Sequence, residues 1–438
     1  MTSRRAAAVA AVGAFALLAT SGSLCRFVFD CRLHSLPLLN RLAHEPPVLE
    51  GVHERGTGDT ILPAGFRQEV VASGLNLPTS FAELPDGRFL VAEKDGLVRL
   101  VENGRVLERP FLDLRGVVES TALRGLVAIE ASPDFARTGF VYLLYARAFG
   151  TNGHTLRLSR VAARGDRAAP GEEVILGATD PRACAAPRPS EECLALDGDH
   201  QGGEIEFLAD GTMLVSLGDG GGEEQGVRLN SFRAQELDSL SGKLLRITPA
   251  GDGVRSNPFW DGNSRSKRSR IFAYGFRNPF RIAVRPGTST PYVSDVGWDT
   301  WDEIDVVVPG ANYGWPCYEG RERTTGYRDT TRCKALYARG EPVRAPLLAY
   351  AAASVTGGAF YTGDRYPRRY RGAYFYGDWA QSWLRYLPSG ELDSGTPTPV
   401  DFASRAGGPT QIEMSSDGNL LYLALNAGEL RELVYSGG

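Results

Sequence analysis

The sequence predicts an all-β protein, a six-bladed β-propeller, on three observations. One theme recurs six times between residues 81 and 435: an apolar strand, a turn containing Asp-Gly or Pro-Asp, and a second strand of alternating apolar residues. Glycine supplies 52 of 438 residues, well above the usual ~7%, while aromatic residues, Val and Leu stay plentiful. That mixture suits many short strands joined by tight turns. Amphipathic helical stretches, finally, are nearly absent. A sandwich of two sheets explains a six-fold theme poorly, whereas radial repetition of four-stranded blades explains it and leaves only short edges exposed.

The units run in order as FAELPDGRFLVAEKDGLVRLV (81–101), VAIEASPDFARTGFVYLLYAR (127–147), IEFLADGTMLVSLGDGG (205–221), IAVRPGTSTPYVSDVG (282–297), GGAFYTGDRYPRRYRGAYFYGDWAQSWLRYL (357–387) and IEMSSDGNLLYLALNAGELRELVY (412–435). Their spacing is uneven, with insertions around 148–197, 219–242 and 312–353. The excess length therefore lies in loops, and loops at one end of a rigid scaffold are where sites are built. The propeller is expected over residues 61–436, and residues 25–60 mix Pro, Gly and charge without a period, as a linker does.

The first 24 residues carry two arginines, an apolar run from Ala6 to Ala19 and then small residues, the pattern of a secretory signal peptide. The run is short for a membrane span, which needs about 20 apolar residues. No span is expected in the mature protein, which would be secreted or periplasmic; an uncleaved N-terminal anchor is the alternative. Six cysteines in an exported chain favour disulfides, and none has zinc-ligand spacing. They fall into local pairs: Cys25 with Cys31, Cys184 with Cys193, and Cys317 with Cys333. The net charge of −4 is interspersed, which argues against a nucleic-acid partner and for a small or neutral one.

Three clusters carry chemistry. In DGDHQGGEIEF (197–207), His200 is one of only five histidines. Counting outward from the turn at Asp210-Gly211 sets it opposite Asp219 to within a residue or two, and an imidazole beside a carboxylate is an oriented general base. The flanking glycines, Gly202, Gly203 and Gly220 to Gly222, are expected to leave room for a ligand. In YGFRNPFRIAV (274–284), Pro279 ends any ladder, so Arg277 and Asn278 can project from a loop, Arg277 as a planar fork for a carboxylate or quinone oxygen. In SDVGWDTWDEIDVVVPGANYGWPCYEG (294–320), Asp295, Asp299, Asp302, Glu303 and Asp305 crowd together at a density that suits Ca²⁺.

The motifs DHQGG, GFRNPF, DVGWDTWDEID, NYGWPCYEG, GGAFYTG and GAYFYGDW, in this order, resemble the glucose/sorbosone dehydrogenase family over roughly residues 62–435. The resemblance implies a propeller that holds pyrroloquinoline quinone (PQQ) over the channel mouth, with Ca²⁺ polarising the quinone. By motif, His200 would take the proton from a sugar's anomeric hydroxyl as hydride passes to the quinone, with Asp219 as its partner and Arg277 at the reacting centre. Arg277, Asn278 and Asp199 would contact PQQ. Backbone carbonyls of Gly297 and Trp298 would hold the catalytic Ca²⁺, and Glu303 and Tyr313 a structural one. The substrate would be a small sugar, and an external acceptor would take the electrons.

The chain also departs from the family pattern. Leu123 stands where Gln or Glu is usual, Thr362 where a cation is usual, and Trp383 near an expected Arg. PQQ bears three carboxylates, so lost cations weaken binding unless Arg365, Arg368 or Arg385 reaches in. The alternative is a propeller that binds a ligand or protein without redox turnover, as Hedgehog-interacting proteins do.

Overall fold

The computed structural model describes Val52–Glu54 and residues 60–437, apart from 151–152, 181, 186–188, 223–226 and 352. The expected signal or anchor, most of the linker and the Cys25–Cys31 pair lie outside the described residues. Six sheets form a six-bladed propeller, and each repeated unit of the sequence supplies the inner strands of one blade.

The innermost strands are Pro78–Glu83, Leu126–Ala131, Glu204–Phe207, Pro279–Val284, Val355–Phe360 and Pro409–Met414, which head blades 1 to 6. Each touches the next around the ring, and the sixth touches the first. All enter from the same face, so the residues just before them gather at one end of the channel. Closure uses a strand from the start of the domain: Phe66–Ala72 pairs with Glu429–Tyr435 and completes blade 6. Ile61–Pro63 and Val52–Glu54 extend blade 5, so part of the stretch read as linker is paired.

The inner strands are buried on both flanks, and polar residues such as Thr79, Ser80, Glu204, Arg281 and Gln411 interrupt their apolar runs. Arg281 is the largest of them. It stands on the innermost strand of blade 4 and is 1% exposed. Its guanidinium donates to the carbonyls of Thr79 (2.5 Å, blade 1), Val127 (3.4 Å, blade 2), Thr410 (2.9 Å, blade 6) and Gly203, at the start of blade 3. Glu204 faces it at 3.4 Å. Blade 5 contributes space: a Cβ on Gly357 would fall 2.2 Å from the Arg281 stem. One side chain thus touches every other blade.

Helix is sparse among the described residues, and the repeat did not announce its one 9-residue stretch, of about two and a half turns. Thr331–Arg339 is capped by the Thr330 hydroxyl, which accepts from Cys333 N, and stops at Gly340 in the left-handed region. It lies in the blade 4 insertion, where Cys317 is bonded to Cys333; Cys184 is bonded to Cys193 in the blade 2–3 insertion. Both bridges are those expected from spacing.

Replacing Arg281 by Met should lower unfolding free energy by about 3 to 5 kcal/mol, because Glu204 would be left buried without its cation. Guanidinium-induced unfolding at neutral pH measures it.

Candidate active site

The loops entering blades 3 and 4 lie side by side at the channel mouth. His200 N donates to Gly221 O (2.9 Å) and Gly220 N to His200 O (3.2 Å), which continues the blade 3 hairpin past its last ladder pair. The pairing brings the His200 ring to Asp219: Nδ1 and Oδ1 are 2.7 Å apart, and both residues are buried. The count from the turn located this contact. Asp219 also accepts from Gly221 N (2.7 Å) and from the Trp315 indole N–H (2.8 Å). Burial opposes its charge, but the His200 ring, Arg277 and the Gly221 N–H hold its carboxyl down at about 2.

Asp295 fixes the neighbouring loop. Its two oxygens accept from Arg277 N (2.9 Å) and Asn278 N (2.6 Å), which orders the turn before Pro279 opens strand Pro279–Val284. The Asn278 side chain accepts from Gly202 N at 3.0 Å, and Asp219 N donates to Arg277 O at 2.8 Å. His200, Asp219, Arg277 and Asn278 therefore form one hydrogen-bonded unit. Arg277 is buried, donates to Val296 O (3.0 Å) and lies over the Trp315 ring.

Two of the flanking glycines serve a different purpose from the one expected. A Cβ on Gly202 would stand 2.3 Å from Ser216 O, and one on Gly220 2.6 Å from Ala195 O. These two let backbone segments cross closely, whereas a Cβ on Gly222 would meet nothing nearer than 3.4 Å.

Asp199 is paired with Arg124 at 2.6 Å. Arg124 immediately follows Leu123, and Lys94 donates to Ser120 O at 2.5 Å in the same neighbourhood. Sequence reasoning passed over both cations because neither stands in a conspicuous motif. Of the departures, only Leu123 stands at the mouth, and its side chain is 51% exposed. Thr362 follows the innermost strand of blade 5 and so lies at the other end of the channel from His200, exposed. Trp383 is buried in the core between blades 4 and 5. Arg385 pairs with Asp401 at 2.6 Å, Arg365 donates to Asp417 O at 3.0 Å and Arg368 is exposed on a short helical turn after Thr362. None of the three replaces a missing cation at the mouth.

Strand alternation splits the acidic crowd: Asp295, Glu303 and Asp305 stay close enough to repel one another, while Asp302 leaves them. Asp302 points away from Glu303 and Asp305 and accepts from Gly297 N, Ala353 N and Val355 N at 2.8 to 3.0 Å. Asp299 is exposed, and Asp305 is fully buried. Among the described residues, no three His, Cys, Asp or Glu side chains converge as a metal site. Three of the four residues assigned to Ca²⁺, namely Gly297, Glu303 and Tyr313, nonetheless line one small cavity of about 10 Å³, together with Asp295 and Glu319. Trp298 is adjacent: Glu319, unnoticed in the sequence, gathers the N–H groups of residues 298 to 301 on one oxygen at 2.8 to 3.1 Å.

The sequence profile of the Glucose / Sorbosone dehydrogenase family matches residues 75–396. The chain belongs to the glucose/sorbosone dehydrogenase family. It is 29% identical over 317 residues to the aldose sugar dehydrogenase YliI of Escherichia coli K12, covering 70% of this chain and 76% of that one. The PQQ-bound aldose sugar dehydrogenase of Streptomyces coelicolor shares the fold, with a TM-score of 0.63 at 23% identity, over 85% of this chain and 99% of that one. Mouse Hedgehog-interacting protein is 30% identical over 239 residues, which span 50% of this chain and 31% of that protein. The two disulfides of this family member fit an oxidising compartment. Among its described residues no helix is long and apolar enough to cross a membrane.

Replacing Cys333 by Ser should cost about 2 to 4 kcal/mol. Hydrogen exchange should quicken over residues 312–340 before it changes in the blade strands.

Proposed function

We propose that the protein is an exported PQQ-dependent dehydrogenase that oxidises the anomeric hydroxyl of an aldose. The observation that carries this reading is the buried His200–Asp219 pair at the channel mouth. A ring whose Nδ1–H is given to Asp219 takes a proton at Nε2, so the carboxylate sets both the tautomer and the orientation of the base. Asp219 stays ionised across the neutral range and stabilises the imidazolium as it forms. Arg277 and Asn278, held by Asp295, present a guanidinium and an amide at fixed positions, and Arg124 and Lys94 add positive charge near Asp199.

This donor set suits an anionic quinone, and it meets part of the cation requirement left by Leu123, Thr362 and Trp383. PQQ, when bound, supplies a two-electron acceptor for the hydride, and an external acceptor must then reoxidise it. For Ca²⁺, the cavity lined by Gly297, Glu303 and Tyr313 is the size of one water or ion. Its ionisable lining is Asp295, Glu303 and Glu319 with Arg277 beside them, and such oxygen donors suit a hard cation rather than zinc. A bound Ca²⁺ would supply Lewis acidity.

The second reading, a binding propeller without turnover, draws on Arg365, Arg368 and Arg385 all being committed away from the mouth. The two readings part in one assay. Purified protein given PQQ and Ca²⁺ should reduce a dye with an aldose, His200→Ala should lose about 10²- to 10⁴-fold in rate while keeping PQQ binding, and Asp219→Asn should lose less. PQQ binding with no turnover of any aldose, unchanged by His200→Ala, would leave the binding propeller standing.

Ca²⁺ should also raise the melting temperature, with about 2.7 kcal/mol of stabilisation at a hundred-fold excess over Kd. Glu303→Gln should shrink that gain. Identical melting with Ca²⁺ and with chelator would exclude the site.

A further inference from the structure

We infer that Trp315 is a positioning residue for the base: its indole N–H sets the charge and orientation of Asp219, and through Asp219 those of His200. The inference rests on the dehydrogenase reading for its kinetic consequence and on geometry alone for its structural one.

Asp219 has two oxygens with separate duties. Oδ1 meets His200 Nδ1 at 2.7 Å, and Oδ2 accepts from Trp315 Nε1 at 2.8 Å. Both contacts are buried, where a hydrogen bond is electrostatically stronger than in water. The indole cannot drift. Trp315 N donates to Gly275 O at 2.9 Å, and Trp315 O accepts from Gln235 Nε2 at 2.7 Å. The ring is met edge-on by Trp298 and Tyr327, with centroids at 6.3 and 5.4 Å. Two residues on, Cys317 is bonded to Cys333 in helix Thr331–Arg339. A small core of Phe232, Trp315, Tyr327, Cys333 and Leu336 thus stands apart from the blades and behind the dyad. The blade 4 insertion, which no blade needs for closure, delivers one donor to one carboxylate oxygen.

A donor on Oδ2 withdraws charge from the carboxylate. Without it, Oδ1 becomes the stronger acceptor and the imidazolium is favoured over the free base. Among the described residues, the other charged groups around the dyad are Arg277, Lys243, Asp295 and the Asp199–Arg124 pair. All remain in a Trp315→Phe variant, so any change reports the indole.

The test has a kinetic arm and a spectroscopic arm, with Ca²⁺ present throughout. In Trp315→Phe the acid limb of kcat/KM should move upward by about 0.5 to 1 pH unit, part of the worth of one charge-assisted hydrogen bond because the carboxylate keeps its other donors. Tyr327→Phe, which removes the hydroxyl contacts to Arg228 N and Ser231 Oγ in the same small core but keeps the indole, should leave the limb in place. In wild-type protein without PQQ or sugar, the Trp315 indole N–H should be protected from solvent exchange, and its NMR resonance should move when Asp219 becomes Asn. A limb unmoved by Trp315→Phe, a limb moved equally by Tyr327→Phe, or an indole signal indifferent to Asp219→Asn would each overturn the inference. If Trp315→Phe does not fold, the wild-type spectrum still decides. Absence of aldose oxidation by the wild type would count against the dehydrogenase reading alone, because the spectroscopic arm needs no substrate.

Discussion

The structure depends on closing a ring of six sheets around a buried centre lined by carbonyls that need donors. Arg281 resolves that constraint. A guanidinium offers five donors in a planar fork, and here it reaches carbonyls of blades 1, 2, 3 and 6 while Gly357 of blade 5 yields space for its stem. Burying such a charge is costly unless its hydrogen bonds are satisfied, so its partners hold the blades to one arrangement. The consequence for the site is direct. Gly203 lies just after His200 and Gly202, and Arg281 lies just after Arg277 and Asn278, so the contact that joins blades 3 and 4 at the axis also aligns the two loops above it.

The channel treats its carboxylates in opposite ways. At the mouth, Asp219 is held ionised by the His200 ring, Arg277 and a backbone N–H. Toward the other end, Glu130, Glu206 and Glu413 project from the innermost strands of blades 2, 3 and 6 with Arg281 as the cation among them. Burial and mutual repulsion push all three up, Glu413 to about 8, and burial pushes Glu204 up to about 7 despite Arg281. One guanidinium cannot neutralise four carboxylates, so protons are retained there at neutral pH. The ionised pair that can do chemistry stands where hydrogen-bond donors are concentrated, and the polar plug beneath it stands where they are scarce.

The insertions separate family scaffold from local device. Blade strands supply the backbone that sets His200 beside Asp219, but the second donor to Asp219 comes from the blade 4 insertion with its helix, aromatic cluster and disulfide. Loop length here is not slack. It builds a second small core whose one polar contact with the dyad is an indole N–H.

The six-fold theme, the hairpin that opposes His200 to Asp219 and the two local disulfides were legible in the sequence, because each depends on residues near one another along the chain: strand alternation, turn residues and short loop closure. Pairings between distant segments were not. Arg281 looked like one more arginine in a motif, and nothing in its neighbours announced four carbonyl partners from four blades. Arg124 and Lys94 were invisible for the same reason. Gly202 and Gly220 read as open space, whereas the crossing of backbones decided that they are points of contact. The acidic run of 295 to 305 read as a cluster, whereas the two-residue period of a strand sent Asp302 to the opposite face from Glu303. Local order along the chain determined the blades and the base; only closure of the ring decided which side chains from different blades would meet, since that depends on contacts whose residues are 75 to 202 positions apart.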